Sequence, residues 1–251
     1  MTEHEPAVRE ADWILVADVD EYLQIKVGDG TFQALIEANP KADAISFPWR
    51  IFGNAGVTEI SDQAVPVEFT RAQPIEGDPE EHRFFKTLFR NDLTKFSRMG
   101  VHRPFLANDH PEINWVLSDG REFTEEEVEK ALFVRGPFGY DVAQLNHYAL
   151  RSVDGFLNKK QRGRANHQFG QIEMSYWNKF NKNDAEDTSL AKTFAAARDY
   201  RDQLLAQDKI LREQNEIGFN WARRMARKAR RAGLFKEFLA ELEKNSDNEA
   251  A

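Results

Sequence analysis

Two aspartates close to the N-terminus are the first residues whose types and spacing suggest chemistry. Asp18 and Asp20 follow a continuous apolar run at 13–17 (WILVA), which is typical of a strand buried on both faces in an α/β sheet. Alternate residues of an extended chain point to the same side, and ligand sites of open α/β sheets lie beyond the carboxyl ends of strands. Two carboxylates on one side form a hard-oxygen site that suits Mg²⁺ or Mn²⁺, particularly together with a diphosphate.

Other acidic motifs match this stretch less well. An EF-hand loop needs Asp or Asn at its fifth position and Gly at its sixth, where this chain has Tyr22 and Leu23. A Walker B strand needs a partner G-x-x-x-x-G-K-[ST], which the sequence lacks. A haloacid-dehalogenase-type (HAD-like), Mg²⁺-dependent phosphatase remains an alternative, with Asp18 as its nucleophile, although Tyr22 replaces the expected Thr. A solvated turn is the structural alternative for the acidic pair.

Strands and helices alternate in the part of the chain that must position these residues. The apolar and alternating runs predict strands at 13–17, 44–49, 65–69, 84–89, 95–101, 115–117 and 143–148. Pro48 predicts an edge or a strand end within the second of these. Helices are predicted over 31–39, with Thr31 as N-cap, and over 124–131, where Thr124 and Glu127 have capping-box spacing.

Helical periodicity dominates after Val153, with predicted helices over 184–207 and within 209–244. The predicted fold class is therefore α/β, with a mixed sheet and flanking helices, followed by an all-helical C-terminal region. The predicted organisation is a linker or disordered segment at 1–10, an α/β core at 11–165, a helical region at 166–244 and a disordered tail at 245–251.

Five segments follow one another in a recognisable order: DWILVADVDEYL, ISFPWRIFGNAG, RFFKTLFR, VHRP and LNHYALRSVDGFLNKKQRGR. Over about residues 11–165 this order resembles bacterial glycosyltransferase family 2-like proteins of the GT-A type. The resemblance implies a GT-A-like sheet and a metal-dependent transferase, of inverting type, that moves a sugar from a nucleotide-sugar donor to a glycan or lipid-linked acceptor. It also implies that the family's N-terminal nucleotide-binding half is missing before Asp18, so that an inactive fragment is an alternative.

The resemblance also implies which residues hold the metal. Asp18 and Asp20 would be the DxD pair that binds Mn²⁺ or Mg²⁺, with Asp20 the more direct ligand. His147, within Asn146-His147-Tyr148, would be the third ligand, and a core-packing histidine at a strand end is its alternative. The ion would offset charge on the departing nucleoside diphosphate.

Further residues would bind the substrate according to the same resemblance. Trp49 would stack on a sugar, and Arg50 would bind its hydroxyls or a phosphate. A diphosphate would be held by Lys86, or by Lys159 and Arg162, for which a solvated helix face is the alternative. His102, predicted in a loop, would contact a phosphate or simply be exposed. The sequence selects no catalytic base among its candidates, which are Glu68, Asp78, Glu80 and Glu81.

Composition restricts the remaining possibilities. The chain of 251 residues has no Cys, which excludes a disulfide scaffold, Cys-ligated zinc, iron–sulfur clusters and a Cys nucleophile. Its 42 acidic against 34 basic side chains argue against general nucleic-acid coating, so no nucleic-acid partner is expected. No apolar run has the length of a transmembrane helix, and no N-terminal stretch is typical of a signal peptide. A soluble, cytoplasmic protein is the expectation.

One segment departs from this acidic composition. Between Trp221 and Lys236 there are seven basic residues and no acidic one. Apolar residues recur here at about helical spacing, at 217, 221, 225, 232, 235 and 239. The first interpretation is a helix that packs its apolar stripe on the domain and keeps its charges in water. Peripheral contact of 217–239 with an anionic membrane, as in a non-catalytic membrane- or partner-binding module, is one alternative, and nucleic-acid binding is another.

Overall fold

A computed structural model describes residues 5–76, 82–136, 138–162 and 173–249, apart from the side chains of His82, Ala195 and 245–249. The chain divides into two compact units. The sheet unit comprises Met1–Arg50 and Pro74–His147, and the helical unit comprises Ile51–Gln73 and Tyr148–Ala251. This division differs from the predicted ranges, because the segment 51–73 belongs with the C-terminal helices.

The secondary structure is mixed. The strands of the described residues are β1 Trp13–Leu15, β2 Glu21–Ile25, β3 Ala44–Ile51, β4 Arg71–Ala72, β5 His82–Arg90, β6 Phe96–Arg98, β7 Phe105–Leu106, β8 Trp115–Leu117, β9 Phe133–Arg135, β10 Ala143–His147 and β11 Ala185–Glu186. The helices are α1 Pro6–Arg9, α2 Phe32–Ala38, α3 Val65–Glu68, α4 Glu125–Lys130, α5 Val153–Arg162, α6 Met174–Phe180, α7 Ser189–Gln207, α8 Lys209–Arg231 and α9 Leu234–Glu249. The α/β class is thereby confirmed.

The sheet unit is built on a seven-stranded mixed sheet. Its order is β1-β5-β3-β10-β2, with β8 also paired to β3 and β9 to β5. β8 runs parallel to β3, whereas β5 is antiparallel to β1, β3 and β9. β1 lies at one end of this order and its three residues are half-buried, so the prediction of a strand buried on both faces is wrong. The apolar run of β1 reflects a partly covered edge rather than a central parallel strand.

Local signals place most elements of the sheet unit correctly. The Thr31 hydroxyl accepts the Ala34 N–H at the start of α2, and Thr124 and Glu127 form the predicted capping box at α4.

Pro48 lies inside an interior strand, so its predicted edge position is wrong, although the ladder between β3 and β5 ends at the Pro48–Phe85 pair. The chain before β1 contains the short helix α1, and the Asn91 amide donates to Val8 O and Ala11 O.

The helical unit corrects several other predictions. Residues 65–68 form α3 rather than a strand, because Pro66 fits the first turn of a helix and donates no N–H to a ladder. The segment around Arg71 joins this unit because β4 pairs with β11. The predicted disordered tail is helical as far as Glu249, since neither Gly nor Pro interrupts α9, and residues 250–251 lie outside the described residues.

The core of the helical unit is aromatic. Phe156 of α5, Trp177 of α6 and Phe238 of α9 form a triangle with ring centroids 4.9–5.2 Å apart. Gly233 separates α8 from α9 and has a φ of 84°, which favours glycine. None of the helices in the described ranges has the length and apolar character needed to cross a membrane.

Candidate functional site

One face of the sheet changes from apolar to polar at one end. Every second residue of a strand points to the same face, so each strand contributes a column of side chains to that face. Four such columns start with buried or partly buried apolar residues of the core. From the apolar core to the polar end of the sheet, the columns consist of Ile25, Leu23 and Glu21 in β2; Ala143, Leu145 and His147 in β10; Ile45, Phe47 and Trp49 in β3; and Leu88 and Lys86 in β5. We call the polar end, with the adjoining loop residues Asp18, Asp20 and His102, the sheet-end site.

Lys86 forms the centre of the ion pairs in this site. Its side chain is fully buried, and its ammonium group has three oxygen partners, which match its three N–H donors. These are Asp18 Oδ2 at 3.0 Å, Glu21 Oε2 at 3.4 Å and the Val101 carbonyl oxygen at 2.7 Å. Lys86, predicted as a diphosphate ligand, therefore neutralises protein carboxylates in this structure.

Glu21 is the most perturbed carboxyl group of the site. Its side chain has no exposed surface, and Oε1 has no hydrogen-bond partner among the described residues. Burial raises the pKa of Glu21 to about 7, although the Asp18 N–H bond and the Lys86 ammonium both favour the charged form. At neutral pH this carboxyl therefore exchanges between its charged and neutral forms.

Asp20 and His147 meet beside this ion pair. β10 and β2 are antiparallel with His147 opposite Glu21, which brings the imidazole to the loop that carries Asp20. The distance from His147 Nε2 to Asp20 Oδ1 is 4.0 Å. The Trp49 ring packs on His147 with centroids 4.2 Å apart. The structure thus brings together two of the three predicted metal ligands and one predicted sugar-binding residue.

His102 extends the aromatic part of the site. Its ring lies 5.4 Å from Trp49 and 5.7 Å from Phe84. His102 Nδ1 lies 3.2 Å from the Phe85 carbonyl oxygen, which can only accept, so the bond assigns the proton to Nδ1 and leaves Nε2 as an acceptor. Burial, assisted by the charge of Lys86, lowers the pKa of His102. The imidazole is therefore neutral at physiological pH.

Arg50, which was predicted to bind the substrate together with Trp49, does not lie on the same face of the sheet. Neighbouring residues of a strand point to opposite faces, so a side chain next to Trp49 lies on the other side of the sheet. There Arg50 is buried and its Nη1 donates to Gln144 Oε1 at 3.2 Å. Arg50 is thus part of an internal hydrogen-bonded network, and Gln144 also bonds Asn146 and Lys26.

None of the remaining candidates is a described residue of the sheet unit. Lys159 and Arg162 belong to α5 of the helical unit, where Lys159 Nζ donates to Ala149 O and to the Tyr176 hydroxyl, both at 2.9 Å. Arg162 is exposed at the end of the same helix. Of the candidate bases, Glu68 lies in α3 of the helical unit, whereas Asp78, Glu80 and Glu81 lie outside the described residues.

The donor set fits a hard divalent cation by its chemistry. Within the described residues, no group of three or more acidic or His side chains is close enough together to hold a metal ion. Mg²⁺ in proteins is commonly bound by only one or two carboxylates, with water and substrate phosphates completing the shell. Asp20 and His147 would provide two ligands at neighbouring positions, whereas Asp18 is oriented towards Lys86.

Sequence reasoning missed Glu21, although it directly follows Asp20. The alternation of Glu21 with Leu23 and Ile25 could have identified it, because it predicts that the Glu21 side chain points to the same face as these apolar residues.

No known family model matches this chain, and no curated protein is significantly similar to it.

Proposed function

We propose that this chain is a bacterial GT-A-like glycosyltransferase of the family 2 type, or a fragment of one. It transfers a sugar from a nucleotide-sugar donor to a glycan or lipid-linked acceptor, with inversion, in the cytoplasm. The observation that carries the proposal is the 4.0 Å approach of His147 to Asp20. These residues belong to the first and the last of the five resembling segments, and the resemblance assigns both to one metal centre.

The proposed cofactor is Mn²⁺ or Mg²⁺, held by Asp20 and His147, with Asp18 as an additional carboxylate. The bound ion supplies Lewis-acid stabilisation of the departing diphosphate. Lys86 orients Asp18 and balances its charge through the 3.0 Å ion pair. A cation that binds Asp18 therefore competes with the Lys86 ammonium group. The test is made at Asp20, which lies 4.0 Å from His147.

The aromatic residues support a sugar-binding role for the same site. Trp49 keeps part of its surface exposed while its ring packs on His147. An indole face next to a metal centre is suited to stacking on the C–H surface of a sugar whose diphosphate is bound at the ion. His102 offers an uncharged Nε2 acceptor on the other side of Trp49, suited to a hydroxyl group.

The proposal is tested by thermal denaturation of the full chain with Mn²⁺ and a panel of nucleoside diphosphates. Binding at about a hundred times Kd stabilises the folded state by about 2.7 kcal/mol, which for this chain length is a rise in Tm of roughly 5–10 °C. We expect this rise with one nucleotide in the presence of metal, and its loss in Asp20→Asn. Asp109→Asn, an exposed aspartate in a loop of the same unit, is the matched control and should retain the shift.

The other outcomes distinguish the alternatives. Hydrolysis of simple phosphate esters without nucleotide preference, abolished by Asp18→Asn, supports the HAD-like phosphatase. A cooperative melt that neither metal nor nucleotide moves contradicts a working donor site and supports a non-catalytic module.

A further inference from the structure

Helix α8 is anchored to the helical unit by its smallest side chains. Ala226 and Ala229 are the buried residues of α8, with exposed fractions of 4% and 1%. Beside them, Arg230 donates from Nε and Nη2 to the two carboxylate oxygens of Asp154, at 2.9 and 3.2 Å. The Asn158 amide donates to the Ala222 carbonyl oxygen at 2.9 Å. These contacts with α5 fix which face of α8 points inward.

The predicted packing of the apolar stripe of this segment is wrong for its N-terminal members. Ile217 is 60% and Trp221 44% exposed, and Ile210, one heptad before Ile217, is 71% exposed. The reason is the rotation of the helix, because the alanines and the Arg230–Asp154 pair turn the large apolar residues to the opposite side. Only Met225 of α8 and Phe235 and Leu239 of α9 are partly covered, as the stripe predicted.

Basic residues continue the same outward face. Counting on from Trp221, steps of three, four and three residues lead to Arg224, Lys228 and Arg231, so all lie on one side of the helix. All three are exposed, and within the described residues none has an acidic partner. The first half of this outward face thus carries Ile210, Ile217 and Trp221, with Gln214 and the Lys209-paired Glu213 between the two isoleucines. Its second half is cationic, in a chain with a net charge of −8.

We propose that this outward face of α8 binds the surface of an anionic phospholipid bilayer. Ile210 and Ile217 enter the boundary between headgroups and acyl chains, and Trp221 lies at the level of the headgroups, where tryptophan is enriched. Arg224, Lys228 and Arg231 bind the lipid phosphates. Nucleic acid complements only the cationic half, because a phosphate backbone offers no surface on which to bury isoleucines. The inference concerns a different unit from the sheet-end site and does not rest on the proposed reaction.

The test is flotation of the full chain with vesicles of phosphatidylcholine, alone or mixed with phosphatidylglycerol. We expect binding to the anionic vesicles, weakened by salt, and at least tenfold weaker binding to the neutral ones. The charge variant R224Q/K228Q/R231Q and the apolar variant I217S/W221S should each reduce the bound fraction at least tenfold. Both change exposed positions only, and circular dichroism checks that the helices are retained.

The matched control is K41Q/K130Q/K192Q, which removes three exposed lysines from other elements and changes the net charge equally. It should bind within twofold of the unchanged chain. Brominated lipid should quench the fluorescence of the unchanged chain more than that of W221F. The proposal is overturned by absent binding to anionic vesicles, by equal losses in the control, by full binding of either face variant, or by transfer of the protein from vesicles to a competing RNA oligonucleotide.

Discussion

Replacing Glu21 by Gln should change how the stability of the protein depends on pH. Below pH 4.5 the Glu21 carboxyl is protonated in both the folded and the unfolded chain. Between 4.5 and about 7 the unfolded chain loses this proton while the folded chain keeps it, so stability is lost as the pH rises, and the loss is complete above the folded pKa. Each pKa unit is about 1.4 kcal/mol, which gives an upper value of about 3 kcal/mol for the whole interval.

The amide of Glu21→Gln matches the neutral carboxyl in size and cannot ionise. We therefore expect the variant to gain up to about 3 kcal/mol over the unchanged chain between pH 4.5 and pH 8. The assay is urea unfolding followed by tryptophan fluorescence at half-unit steps of pH, plotted as the difference between the two proteins. Glu112→Gln, at an exposed position of the same unit, is the control and should give a constant difference. A flat curve for Glu21→Gln, or a gain by the unchanged chain as the pH rises, would refute the assignment of Glu21 as a buried, proton-retaining group.

Two further substitutions test the buried ion pairs of the two units. Lys86→Met removes the ammonium group between Asp18 and Glu21. We expect it to lower the free energy of unfolding, measured in urea at pH 8, by about 3 kcal/mol. In a Glu21→Gln background the same substitution should lower it by only about 1 kcal/mol. Equal losses in the two backgrounds would exclude coupling between Lys86 and Glu21. Arg230→Met leaves the Asp154 carboxylate, which is 6% exposed, without this ion pair and should lower the free energy of unfolding by about 3 kcal/mol. Arg227→Met, at an exposed position of the same helix, is the control and should lower it by less than about 0.5 kcal/mol. Similar values for the two variants would contradict a stabilising role of the Arg230–Asp154 pair.

The parts of the fold that were predicted correctly depend on short-range signals. The caps at Thr31 and Thr124 are defined by residues three positions apart, and β5 and β10 are recognisable from their own composition. The errors concern pairing between distant segments. Nothing near Arg71 indicates that it pairs with Glu186, and this pairing assigns 51–73 to the helical unit. Likewise, a four-residue run such as 65–68 carries too little periodicity to distinguish a helix from a strand.

Three of the residues suggested by the sequence, Asp20, Trp49 and His147, come together at the sheet end. Trp49 and Arg50 were both expected at the substrate, although adjacent strand residues point to opposite faces. Lys86 was recognised as important and given an external partner, whereas its partners are the protein's own carboxylates. Applying the two-residue period of strands to polar as well as apolar residues would have corrected the placement of Arg50 and found Glu21.

The sheet-end site and the outward face of α8 share no residue and belong to different compact units, so the two proposals make separable claims. Asp20→Asn should abolish the metal-dependent nucleotide shift and leave vesicle binding intact, because it removes no side chain of α8. R224Q/K228Q/R231Q should abolish vesicle binding and leave the nucleotide shift intact. If the unchanged chain shows only the nucleotide shift, and Asp20→Asn abolishes it, the chain binds a donor and its basic helix is solvated. If the unchanged chain shows only vesicle binding, and R224Q/K228Q/R231Q abolishes it, the chain binds membranes through α8 and its sheet-end site does not handle a nucleotide sugar.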